Sequence, residues 1–78
     1  MAINNIVMIR STKQTKERLG KKIQRLRKSF DLSQEELAAK LGISRTHMGH
    51  IEQGRKSSSL KLLTKISKEL KTDISDLF

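Results

Sequence analysis

Apolar residues recur along most of this chain at helical spacing. Leu19, Ile23, Leu26 and Phe30 follow one another at steps of four, three and four, with Lys and Arg between them. That is the stripe of an amphipathic helix beginning at about Lys13 or Thr15. Gly20 lies inside it and weakens it by ~1 kcal/mol relative to Ala, so its early turns are expected to fray. After a turn at Asp31-Leu32, Ser33-Gln34-Glu35-Glu36 has the form of a capping box. In such a box the serine hydroxyl and the glutamate carboxylate satisfy each other's backbone amides. A short helix follows with Leu37, Ala38 and Leu41 inward, and Gly42 ends it in the left-handed conformation that glycine adopts without strain. Ser44 caps a second short helix, Arg45 to Gln53, with Ile43, Met48 and Ile51 inward and Gly54 as its stop. Ser57-Ser58-Ser59 forms a polar loop. It leads into a helix from Leu60 to about Lys71 with a stripe of Leu60, Leu63, Ile66 and Leu70. A final short helix, Ile74 to Phe78, carries Ile74, Leu77 and Phe78. The pattern predicts an all-α domain of five short helices.

Residues 3–9 break the pattern, being largely β-branched and uncharged. The first dozen residues therefore read as an N-terminal arm, 1–12, with a short strand that packs on the body or on a second subunit, since a lone edge strand is a liability. Residues 13–78 form one domain. With 78 residues in all, the chain buries only about 60% of its unfolded surface and is expected to be helped by a partner chain. Cysteine is absent, which excludes disulfides, thiolate metal sites and a cysteine nucleophile. No apolar run approaches the ~20 residues of a membrane span and no cleavable leader is visible, so a cytoplasmic protein is expected.

Charge narrows the class. The formal net charge is +9, and residues 1–30 carry nine basic side chains against the single acid Glu17. Residues 31–54 reverse the balance, with Asp31, Glu35, Glu36 and Glu52 against Lys40 and Arg45. Segregation of this kind favours a polyanionic partner. Enzymatic readings fail on inventory: no nucleophile–His–acid set and no phosphate-cradling glycine loop is present. His47 and His50 share one side of a helix, but without a thiolate or a nearby carboxylate they make a poor metal site. No metal or cofactor is expected.

The informative unit is the pair of short helices over about residues 34–53, joined by Gly42-Ile43-Ser44. Ala38 is small where two helices cross, and Gly42 stands four residues later at the sharp turn. This is a helix-turn-helix pattern, whose second helix fits a major groove about 12 Å wide.

Leu26-Arg27, Leu32-Ser33-Gln34-Glu35-Glu36-Leu37-Ala38, Leu41-Gly42-Ile43-Ser44-Arg45 and Ile51-Glu52-Gln53-Gly54-Arg55 resemble the XRE family of lambda-repressor-like helix-turn-helix regulators. The resemblance covers about residues 19–78. The run Arg-Thr-His-Met-Gly-His-Ile-Glu is similar to that of restriction–modification controller proteins. The resemblance implies a five-helix domain that binds double-stranded DNA as a homodimer and regulates transcription, with half-sites about one helical turn, ~34 Å, apart on a palindromic operator.

It also implies residue roles. Arg45, Thr46, Gly49 and His50 would face base edges. Arg45 could pair bidentately with guanine, and Gly49 would allow close approach of DNA or else tight helix packing. Gln34, Ser44, His47, Arg55, Lys56 and Ser57 would hold phosphates, with Gln34 also bracing the reading helix and the amides of the loop helping. Arg27 and Glu52 would form a structural salt bridge. Ile74, Leu77 and Phe78 would make the dimer contact as an exposed apolar patch, supported by the 3–9 arm. Two competing readings remain: an antitoxin-type or scaffold protein that uses this fold mainly to bind protein through residues 3–9, and a non-specific nucleic-acid or RNA binder. The second is disfavoured because only two Phe are available for stacking.

Overall fold

In the computed structural model, residues 13–78 are described. The arm expected over 1–12 lies outside them. Four α-helices follow in chain order: α1 (Lys13–Ser29), α2 (Gln34–Leu41), α3 (Arg45–Glu52) and α4 (Leu60–Glu69). The fifth expected helix is a single 3₁₀ turn, Ile74–Leu77, closed by bonds from the amides of Asp76 to the Asp73 carbonyl (2.9 Å) and of Phe78 to the Ser75 carbonyl (3.3 Å). So short a run cannot offset the cost of nucleating an α-helix, and the tighter turn serves instead.

Local chemistry sets the helix starts. The Ser33 hydroxyl accepts from the Glu36 amide (3.0 Å), and the Glu36 carboxylate accepts from the Ser33 amide (2.8 Å), completing the capping box of α2. Ser44 caps α3 through the His47 amide, and Ser59 caps α4 through the Leu62 amide. Gly42 ends α2 at φ 73°.

The helices close over Leu19, Ile23, Leu37, Ala38, Leu41, Met48, Ile51, Leu63, Ile66, Leu70 and Leu77. Two members of the expected stripes are outside it. Phe30 is exposed because α1 ends at Ser29 and the chain turns away through Asp31, itself at φ 57°. Leu60 is exposed because it is the first residue of α4, one turn beyond the core residue Leu63, and only Leu62 of that turn packs on the core.

α1 runs through Gly20. A Cβ there would come within 2.5 Å of the carbonyl oxygens of Ile51 and Glu52. The missing side chain lets α1 cross directly against the end of α3. Propensity measures what glycine costs an isolated helix and is blind to such a crossing.

Candidate nucleic-acid interface

Met48, Ile51 and Glu52 are buried and define the inner side of α3. At about 100° per residue, the side opposite them carries Thr46, Gly49, His50 and Gln53, with Arg45 and His47 at its two edges. Arg45, Thr46 and Gln53 are exposed; His47, Gly49 and His50 are half-buried. The structure thus groups the four residues expected to face base edges on one solvent-facing side. Gln53 is on it too, and the sequence reading passed it over as the end of a helix. Projecting positions 45–53 onto a helical wheel would have found it.

Glycine at 49 is not required by packing. A Cβ there would find its nearest neighbour, the Gln34 side-chain oxygen, at 3.9 Å, an ordinary contact. Tight helix packing is thereby removed as the reason for Gly49.

A buried polar network holds α3 in place. Glu52 receives Arg27 Nε on Oε2 (2.6 Å) and Arg27 Nη2 on Oε1 (3.1 Å), a two-pronged ion pair from α1. Arg27 Nη1 donates to the Leu32 carbonyl (2.7 Å), and Gln34 Nε2 donates to Glu52 Oε1 (2.9 Å). One carboxylate therefore ties α1, the turn before α2, the first residue of α2 and the last of α3. Gln34 thus braces α3 through Glu52. A buried charge pair with its lone pairs occupied in this way adds specificity of position more surely than stability.

In the loop beyond α3, the Arg55 and Lys56 amides bond back to the His50 carbonyl and that of Gly54 to the Ile51 carbonyl, while the Arg55, Lys56 and Ser57 side chains are exposed. Gly54, at φ 75°, sits so close to α1 that a Cβ would lie 2.7 Å from the Glu17 backbone, which presses the loop against the body.

The electrostatics are less simple than the net charge suggests. Gly20 points at α3, and Arg18, Lys21, Lys22 and Arg25 lie roughly 100–200° around α1 from it. They line a shallow hollow with Leu77 and Phe78, and no residue of α3 lines it. On α3 and in the loop that follows it, Arg45, Arg55 and Lys56 are exposed basic groups. The first turn of α2 carries Glu35 and Glu36. Hydrogen bonds from the Ser33 amide and hydroxyl, with Lys40 adding a smaller attraction, hold the Glu36 carboxyl below its usual range.

The C-terminal residues separate. Leu77 is 2% exposed and belongs to the subunit's own core, Ile74 is half-buried, and Phe78 is 64% exposed. The apolar patch expected of all three reduces to Phe78 and the edge of Ile74. The 3₁₀ turn rotates Leu77 inward onto α1 and α4.

Comparison with known proteins agrees with this geometry. The family model described as Helix-turn-helix matches residues 23–77. The control protein C.MunI of Mycoplasma sp is 45% identical over 64 residues, which span 81% of this chain and 86% of that protein. The crystal structure of the restriction-modification controller protein C.AhdI from Aeromonas hydrophila is similar with a TM-score of 0.75 at 32% identity, covering 80% of this chain and 94% of that one. The clp gene regulator ClgR of Corynebacterium glutamicum is similar with a TM-score of 0.76 at 27% identity, covering 80% and 66%. With its capped pair of short helices and an outward third helix held by Glu52, the chain belongs to the Helix-turn-helix family of DNA-binding transcriptional regulators.

Proposed function

We propose that this regulator acts in the cytoplasm as a homodimer on a two-fold symmetric operator, in the manner of a restriction–modification controller. The observation that supports this reading is the outer side of α3, where exposed Thr46 and Gln53 and half-buried Gly49 and His50 stand between Arg45 and His47, opposite the buried Met48, Ile51 and Glu52. Arg45 reads a guanine, Thr46 and His50 read adjacent bases, and Gly49 lets the helix backbone approach the groove floor. Gln34, Ser44 and His47 hold one phosphate ridge and Arg55, Lys56 and Ser57 the other, which sets register without conveying sequence. Ile74 and Phe78 meet their counterparts across the two-fold axis. Regulation follows from occupying or clearing a promoter.

Selection of bound duplexes from a random pool, at a stated salt concentration, tests the reading. A two-fold consensus with half-sites about one helical turn apart is the expected outcome. Equal retention of all duplexes, with affinity following salt alone, would refute it.

A further inference from the structure

One polar side chain on the outer side of α3 still lacks a role. Gln53 is exposed, and its backbone amide donates to the Gly49 carbonyl at 3.0 Å, so it continues the helical ladder one turn beyond Gly49. At about 100° per residue it stands roughly 20° from Thr46 around the axis of α3. Helical side chains lean toward the N-terminus and cover the turn before their own Cα. For Gln53 that turn holds Gly49, which has no side chain, and a Cβ built there would have the Gln34 side-chain oxygen as its nearest neighbour, at 3.9 Å. Position 49 thus leaves room on the outer side for the Gln53 side chain to lie along the helix. Gln34 spends its side-chain amide on Glu52, whereas no hydrogen bond among the described residues engages that of Gln53.

Its two neighbours fix where that side chain starts. Glu52, the residue before, is buried and held by Arg27 and Gln34. Gly54, the residue after, is buried and packed so closely on α1 that a Cβ would lie 2.7 Å from the Glu17 Cα. A backbone pinned on both sides holds the exposed side chain ready, so less freedom is lost when it binds. Given the operator reading on which this rests, we infer that Gln53 is a further base-reading residue and that its ligand is the major-groove edge of an adenine. A glutamine side chain ends in one carbonyl oxygen that accepts and one NH₂ group that donates. The oxygen accepts from adenine N6 while the nitrogen donates to N7, and adenine alone presents that donor and acceptor side by side in the major groove. A phosphate, which only accepts, would engage the nitrogen and leave the oxygen unpaired.

Selection of duplexes from a random pool by the parent chain, by Gln53→Ala and by Gln53→Arg, at one stated salt concentration, tests the assignment. The parent consensus should hold an adenine in each half-site whose preference falls roughly five- to 150-fold in Gln53→Ala, at a position other than the one relaxed by Arg45→Ala. Gln53→Arg should move the preference at that position from adenine to guanine. Replacing the adenine by 7-deaza-adenine removes the N7 acceptor, which should weaken the parent complex and leave the Gln53→Ala complex unchanged. Both variants should keep the helical circular dichroism and melting temperature of the parent, because the side chain they replace is exposed. A uniform loss over all duplexes in Gln53→Ala, with the consensus intact, would mark a phosphate contact and overturn the assignment. So would equal sensitivity of the parent and Gln53→Ala to 7-deaza-adenine. If Gln53→Ala fails to fold, Gln53→Arg decides: guanine in place of adenine supports the assignment and an unaltered consensus ends it. A parent chain with no consensus at all sinks the operator reading and this residue with it, whereas a consensus that survives the loss of Gln53 sinks this residue alone.

Discussion

At the scale of single residues, Gly49 separates fold from function most cleanly. Because a Cβ there meets nothing closer than 3.9 Å, Gly49→Ala should stabilise α3 by up to ~1 kcal/mol. For a domain of this size that raises the melting temperature by about 4–8 °C. Operator affinity should fall in the same variant if the helix backbone lies against the groove floor. A more stable protein with undiminished affinity would remove Gly49 from the interface. Arg45→Ala should relax preference at one base position per half-site, worth ~1–3 kcal/mol of discrimination, measured by competition between operator variants. Lys56→Ala should instead weaken all duplexes alike and lower the salt slope by about one. Capping residues at this scale were legible from sequence because a cap is a contact across three residues. Ser33, Ser44 and Ser59 could be read without knowing the fold. Gln53 was not, because its exposure depends on which side of α3 the core takes.

Among the elements, the Glu52 carboxylate decides how α3 sits. Arg27→Ala leaves a buried carboxylate unpaired and should cost ~3–5 kcal/mol, enough to unfold much of a domain of this size. Gln34→Ala keeps the ion pair and removes one bond, so it should cost ~1 kcal/mol. It should also weaken every duplex by loosening α3 against α2. Thermal unfolding followed by circular dichroism distinguishes the two. The capping box of α2 gives a sign for pH. Glu36 titrates below its ordinary value of 4.5 in the folded chain. Its contribution is therefore complete above that value and is lost as pH falls through the lowered folded value. Glu36→Gln should flatten the acid limb of the stability curve and leave neutral-pH behaviour nearly unchanged. Both elements of the motif were visible in the hydrophobic pattern. The resemblance to lambda-repressor-like regulators supplied the Arg27–Glu52 pair, which lies 25 residues apart and which no local rule joins.

For the whole molecule, the test of self-association is Phe78→Asp rather than truncation. Cutting after Asp73 would also remove Leu77, a core residue, and a monomer so made could simply be a damaged fold. Phe78→Asp leaves Leu77 in place and should dissociate the dimer by sedimentation at unchanged helicity. A persistent dimer would move the interface elsewhere. Salt dependence carries the other lesson of scale. The net charge of +9 overstates the charge available to a duplex, because Arg18, Lys21, Lys22 and Arg25 surround a hollow with Leu77 and Phe78. The slope of log affinity against log salt should report the handful of contacts around α3 and its loop, at about 0.9 per phosphate neutralised.

Periodicity, caps and the Gly42 turn belong to neighbours within four residues, so the linear chain alone sufficed to mark the helices and the motif they build. Which faces stay wet is a property of the assembled core. Phe30 and Leu60 keep the helical spacing and still miss the interior, since the elements end before reaching it. Leu77 goes the opposite way, drawn inward by a 3₁₀ turn against α1 and α4. Gly20 reads as a weakness in one helix and proves to be the place where a second crosses it. Contacts between segments distant along the backbone come into being only when the helices pack, and they determine the outward side of α3.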